Sequence, residues 1–111
     1  KKEILGHMVD SASNNHQRFV RAQQVSEFRF PVYKQTDWVR SQNYQAENWI
    51  DILNLWIALN QHLAYIINQI PAEKLKVVCW IGENQPITLA ELIEDYIQHQ
   101  EHHLKQIDSE F

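Results

Sequence analysis

Two histidines near the C-terminus, His99 and His103, are the residues of this sequence whose type and spacing could most directly do chemistry. Residues four apart in an α-helix share a face and lie about 6 Å apart along the axis, so both imidazoles would point to one place. Each neutral imidazole offers a lone pair that a divalent metal ion can accept. The alternative is two partly buried histidines with ordinary hydrogen bonds, because six histidines in 111 residues produce such pairs by chance.

The segment 88–107 that carries this pair is predicted to be a helix. Its apolar residues recur at intervals of three and four, and both histidines lie on or at the edge of the apolar face. Thr88 and Glu91 have the spacing of a capping box, which predicts that the helix begins there. The pair would therefore face a core or a site.

The sequence does not contain the residue patterns that other common catalytic mechanisms require. Glu101 would lie roughly 160° from His103 on the helical wheel, so the pair does not match a zinc-protease motif. Cys79 has no cationic neighbour in sequence that would lower its pKa, and it is interpreted as a core residue. The sequence contains no glycine-rich phosphate loop, no nucleophile elbow and no paired cysteines.

The segment 1–24 is a second predicted amphipathic helix. His7 and His16 lie on opposite flanks of its apolar arc, and spacing alone leaves open which of them faces inward. Asn14 and Arg18 lie close to His7 on the wheel and are candidates to orient a polar or anionic group of a substrate. The alternative is that this polar stripe is a solvated surface.

A third helix is predicted over 46–70, where apolar residues cover more than half of the wheel, so it should pack on more than one side. The stretch 25–42 loses periodicity and is interpreted as a long connection anchored by aromatic residues. The stretch 74–81 could be an extended crossover or one turn of helix, and 82–86 is a predicted turn.

Length and composition limit the class of protein. The chain is long enough for one domain, 1–111, with a substantial core. Acidic and basic residues are interspersed at a net charge of -4, which is not the footprint of a nucleic-acid-binding protein. A single cysteine fits a reducing, cytoplasmic compartment. Polar residues interrupt every apolar stretch, so no membrane association is expected.

The two ends of the chain resemble the DinB-like (YfiT-type) superfamily. The resemblance is carried by the segments ILGHMVDS (4–11), NNHQRF (14–19) and TLAELIEDYIQHQEHHLKQI (88–107). Members are all-α, up-and-down four-helix bundles that bind a divalent metal through one histidine of the second helix and a His-x-x-x-His pair of the last. Carried over by motif, the ligands are His7, His99 and His103, which selects His7 over His16.

The resemblance also shows two departures. Members often have Arg-Gly-Gln after the second histidine of the pair, whereas this chain has Leu104-Lys105-Gln106 and keeps only the glutamine. Members also have a first helix before the segment of His7, and this chain lacks it, so we expect a truncated form of a longer protein. The apolar face left open would then be covered by a second subunit in a homodimer.

The superfamily includes thiol S-transferases that use bacillithiol or mycothiol, a thiol-dependent isomerase and metal-dependent hydrolases. The resemblance therefore implies a metal-dependent enzyme that joins a low-molecular-weight thiol to a small electrophile. Hydrolysis is one alternative, and a non-catalytic bundle with a structural or partner-binding role is another. Three imidazoles and an open fourth position suit zinc or nickel better than calcium or magnesium, which prefer oxygen ligands.

Overall fold

The computed structural model describes residues 1–109, which form three long helices, one short helix and a small sheet. The helices are α1 (Lys2–Ala22), α2 (Gln35–Gln42), α3 (Trp49–Gln69) and α4 (Leu89–Ser109), and the strands are β1 (Glu27–Phe30), β2 (Val78–Ile81) and β3 (Ile87–Thr88). The chain is predominantly helical, as predicted, and the sheet is an addition to that prediction.

The long helices begin close to where local signals place them. The side chain of Asn48 caps α3 by accepting a hydrogen bond from the backbone N–H of Ile50 at 2.8 Å. The predicted capping box is formed at the start of α4, because Thr88 N–H donates to Glu91 Oε1 at 3.0 Å and Glu91 N–H donates to Thr88 Oγ1 at 3.2 Å. These contacts satisfy backbone donors that a helix leaves unpaired at its start.

The stretch 25–42, for which we predict a long connection with at most short elements, contains the short strand β1 and the short helix α2. β1 pairs in parallel with β2, in a register that joins Glu27 to Val78 and Phe30 to Ile81. β2 in turn pairs with β3 in the antiparallel sense. Before β2, the chain makes a short 3-10 turn, so the stretch 74–81 contains both of the forms considered for it.

The core lies along α1, which packs against α3 and α4. One buried cluster joins the sheet to α1 and α4 through residues that include Phe19, Phe28 and Leu92. Cys79 belongs to this cluster and is fully buried, which confirms its interpretation as a core residue. A second cluster joins the first half of α1 to α3 and the end of α4, with Met8 at its centre.

α3 packs on one side only within the described residues. Its buried side chains are Ile52 and Leu63, whereas Ile50 and Tyr65 are 55% and 61% exposed. By length and composition alone α3 could span a membrane, which the sequence analysis had excluded because of its polar residues. The packing on more than one side that was predicted for this helix is not found in the described part of a single chain.

Candidate metal centre and adjoining cavities

Three histidines converge where α1 meets the second half of α4. His7 comes from α1, and His99 and His103 come from successive turns of α4. One ring nitrogen from each lies within 4.8 Å of the others. The ring of His7 stands edge-on to both partners, with its centroid 6.1 Å from that of His99 and 4.8 Å from that of His103. Three imidazoles at such distances could coordinate one cation after small side-chain rotations.

His103 has the hydrogen-bonding pattern of a metal ligand. Its Nδ1 donates to Oε1 of Gln106 at 2.7 Å, which leaves the lone pair on Nε2. Nε2 is buried and has no hydrogen-bond partner. A buried acceptor without a partner is costly, and a metal ion would satisfy it. A second ring nitrogen fixed by a hydrogen bond is also usual for metal-bound histidines.

The surroundings of His7 and His99 favour neutral imidazole rings. Burial lowers the pKa of His7, and the neighbouring rings of His103 and His99 lower it further. The pKa of His99 is lowered first by burial and then by His103 and His102, whereas Asp95 opposes the shift. Neutral rings keep their lone pairs available, so fewer protons compete with a cation near neutral pH. This all-nitrogen cluster could bind a divalent metal ion.

Asp10, a residue that the sequence did not indicate as functional, anchors the end of α2 and the following turn to α1 close to His7. Its side chain is 1% exposed, and its Oδ1 accepts hydrogen bonds from Tyr44 at 2.7 Å and from Gln42 at 2.8 Å. Burial raises the pKa of Asp10, although both hydrogen bonds act against this shift. These contacts fix the end of α2 against α1. The available sequence signal was an acidic residue three positions after His7, on the inner side of a helix.

Two cavities adjoin the histidine cluster. The first has a volume of about 500 Å³ and is lined by α1, α4 and the loops around the sheet, with His99 and Arg18 among its wall residues. The second has a volume of about 470 Å³, and His7 and Tyr44 contribute to its wall. Gln35 lines both. The cluster is therefore accessible from two sides.

The two substrate-binding candidates have different positions. Arg18 lines the first cavity, as a residue that contacts a substrate would. The side chain of Asn14 instead donates to the backbone carbonyl of Asp10 at 2.9 Å, in the interior. Its neighbour Asn15 lines the cavity. On an ideal wheel Asn14 lies about 20° from His7 and Asn15 about 80° from it, so the wheel favoured Asn14. The cavity instead lies on the side of α1 that carries Asn15.

The remaining histidines lie outside the cluster. The rings of His16 and His62 pack edge to face across α1 and α3, with centroids 5.2 Å apart. His102 is exposed on α4 next to His103. Of the two α1 histidines that spacing left open, His7 is the one that the fold brings to the pair on α4.

A three-histidine cluster between two packed helices, beside cavities of small-molecule size, defines a helical protein with a candidate metal centre. The chain matches the family profile of the DinB superfamily over residues 2–107 and belongs to that superfamily. The resemblance noted in the two terminal segments is thereby confirmed. No curated protein and no solved structure matches this chain.

Proposed function

We propose that this protein is a metal-dependent transferase that joins a low-molecular-weight thiol to a small electrophilic substrate. The observation that carries the proposal is the convergence of three imidazoles, one with a buried and unpaired Nε2, beside two open cavities. His7, His99 and His103 would hold zinc or nickel. When bound there, such an ion lowers the pKa of a coordinated thiol or water so that it becomes a nucleophile at neutral pH.

The nucleophile has to come from outside the chain. Cys79 is the single cysteine, it is fully buried, and burial raises the pKa of its thiol. A buried, protonated thiol is not reactive. The cytoplasm, where small thiols are kept reduced, suits this reaction. Gln106 would hold the ring of His103 in the orientation that a ligand requires.

The two cavities support a reaction of two substrates. One approaches the cluster from the side of His99 and the other from the side of His7, so an electrophile and a thiol could reach the same point from different directions. Metal-dependent hydrolysis is the second candidate. It is favoured by Asp95, which lines the first cavity with His99 and carries a carboxylate that could accept a proton from water.

The first experiment measures metal. We expect the purified protein to contain about one zinc or nickel ion per chain, because three imidazoles form one site. His103→Ala should lose most of this metal, since it removes a ligand. His102→Ala is the matched control, because it deletes the adjacent, exposed ring and should retain the metal. Equal metal content in the wild type and in His103→Ala would reject the assigned site.

The second experiment measures the reaction. The metal-loaded protein is given a small electrophile with bacillithiol, mycothiol or glutathione, and loss of the electrophile is followed with and without a chelator. Thiol-dependent turnover that the chelator abolishes would support transfer. Metal-dependent turnover without any thiol would replace transfer by hydrolysis. Absence of turnover with every thiol and with water would favour the non-catalytic alternative.

A further inference from the structure

Arg18 is a buried cation that the candidate metal chemistry does not use. Its side chain is only 8% exposed, and its Nε is buried without a hydrogen-bond partner. The guanidinium contacts the faces of Phe30 at 5.4 Å and Tyr33 at 5.9 Å from the ring centroids. Burial lowers its pKa, although an arginine remains charged at any physiological pH. Buried charges are normally paired, so an unpaired one on a cavity wall indicates a missing anion.

The position of Arg18 fits the far end of a bound molecule. It lines the same 500 Å³ cavity as His99, together with residues of α1 and α4. Arg18 follows His7 by eleven residues on α1, which is about 16 Å along the helix axis. Helical side chains lean toward the N-terminus, which brings the guanidinium nearer to the histidine cluster than its Cα atom. A small molecule could contact Arg18 at one end and reach the cluster with the other.

The rest of the wall defines the chemistry of this molecule. Among the described residues that line the cavity, Arg18 is the only arginine or lysine, and Asp95 adds a negative charge. One cation beside one carboxylate disfavours a doubly charged anion. The remaining wall combines aliphatic side chains, among them Ile81, Ile87 and Leu92, with uncharged polar side chains that include four Asn and Gln amides. The cavity is therefore suited to a single negative charge on a body that is apolar where it contacts the aliphatic side chains.

We infer that the first cavity binds a small monocarboxylate, with the carboxylate on Arg18, the apolar body along Ile81 and Leu92, and the reactive end toward His99. A carboxylate fits the planar guanidinium because it can accept two parallel hydrogen bonds. The assignment of a reactive end rests on the proposed function, whereas the binding of the carboxylate does not. The carboxylate could belong to the electrophile or to the thiol, and binding measurements with carboxylates of each kind can distinguish these two sources.

The test uses metal-free protein, so that no carboxylate can bind to an ion. Metal is removed with a chelator, the chelator is dialysed away, and calorimetry measures the binding of hexanoate, octanoate, the thiol monocarboxylate 3-mercaptopropionate and the neutral amides hexanamide and octanamide. We expect saturable binding of a carboxylate and about 10- to 100-fold weaker binding of its amide, the usual contribution of a charge-assisted hydrogen bond. Arg18→Met should reduce the affinity for the carboxylate to that for the amide.

Arg21→Met is the matched control. Arg21 follows Arg18 by about one turn of α1 and also contacts the ring of Phe30 at 5.4 Å, but it is exposed and does not line the cavity. This variant should bind the carboxylates like the wild type. Arg18→Met should fold, because it keeps an unbranched side chain and removes an unpaired buried charge. A melting temperature at or above that of the wild type would verify this.

Three results would overturn the inference: no saturable carboxylate binding, equal binding of carboxylate and amide, or equal losses in the Arg18 and Arg21 variants. Loss of hexanoate or octanoate binding in Arg18→Met would assign the carboxylate to the substrate that lacks a thiol, and loss of 3-mercaptopropionate binding alone would assign it to the thiol. Arg18-dependent binding without any turnover would support this inference and reject the proposed function. Turnover that is unchanged in Arg18→Met, together with carboxylate binding that is unchanged in this variant, would do the reverse.

Discussion

At the scale of single residues, the orientation of His103 depends on Gln106. The hydrogen bond from Nδ1 to Gln106 Oε1 selects the tautomer in which Nε2 carries the lone pair, and it also fixes the ring about its terminal bond. Nε2 thereby keeps its lone pair, and it is buried without a hydrogen-bond partner. Gln106 is thus expected to act on the metal through His103 without contacting it.

We predict that Gln106→Ala weakens metal binding by about 10- to 100-fold, the usual effect of removing such a supporting hydrogen bond. Gln106→Glu should retain the affinity, because a carboxylate also accepts the hydrogen bond from Nδ1. Lys105→Ala is the control, since it changes the adjacent exposed side chain. The measurement is competition with a metal-binding dye at fixed pH. An affinity in Gln106→Ala equal to that of the control would show that Gln106 does not support the site.

The predictability of the site from sequence differs from residue to residue. The pair on α4 could be predicted because residues four apart in a helix lie on the same face in any fold. His7 and His16 could not be separated by spacing, since both flank the apolar arc of α1, and only the family resemblance selected His7. The contact between Asp10 and Tyr44 joins residues far apart in sequence, so it required the structure.

At the scale of elements, a glycine in α1 determines how closely the following segment can approach the helix. The ring of Tyr44 packs against the backbone of Gly6, where a Cβ atom would collide with the Cδ2, Cε2 and Cγ atoms of the ring. This contact places the tyrosine hydroxyl on Asp10, one turn along the helix. Glycine costs about 1 kcal/mol relative to alanine inside a helix. Here the close packing of Tyr44 compensates for that loss.

A double-mutant cycle tests this explanation. We predict that Gly6→Ala lowers the free energy of unfolding by about 1–3 kcal/mol, the usual effect of overpacking a core. In a Tyr44→Ala background the same substitution should instead raise the free energy of unfolding by up to about 1 kcal/mol, because only the gain in helix propensity remains. Both effects are measured by equilibrium denaturation.

The change of sign is the decisive result. Gln17→Ala, on an exposed position of α1, reports the effect of a new alanine without a collision and should change the stability only slightly. If Gly6→Ala stabilises the protein while Tyr44 is present, the glycine is not required for the approach of the ring. If it destabilises the protein equally in both backgrounds, the backbone conformation and not Tyr44 explains the glycine.

The long helices were predictable and the sheet was not, for one physical reason. The signals for α1, α3 and α4 are local, namely the apolar period, the capping residues and the prolines that end helices. β1 and β2 are only four residues long, and each is stabilised by a partner strand that is distant in sequence, as in the pairing of Glu27 with Val78. Such short strands carry too few residues to show an alternating pattern.

At the scale of the whole molecule, the exposed side of α3 is the main apolar surface to be explained. Large apolar side chains are exposed along this helix, among them Ile50, Leu55, Ile57 and Tyr65. Between Trp49 and Gln69, Asp51 is the only Asp, Glu, Lys or Arg, so two copies of this surface would repel each other only weakly. Large exposed apolar patches are rare on monomers. We propose that α3 forms the interface of a homodimer.

The last prediction follows from this surface. We expect light scattering to give a mass of twice 13.3 kDa at high protein concentration, with dissociation on dilution. Tyr65→Glu should weaken the dimer by at least about tenfold, because burying an unpaired carboxylate costs several kcal/mol. Gln17→Glu adds the same charge at an exposed position of α1, outside the proposed interface, and serves as the matched control.

Circular dichroism of each variant would verify that it is folded. A folded wild-type monomer at every concentration would reject the dimer. Equal weakening by both substitutions would assign the effect to charge alone and not to the contact of Tyr65. Binding of the monomer to phospholipid vesicles, lost in Tyr65→Glu, would instead assign the apolar surface of α3 to a membrane, which its length and composition permit.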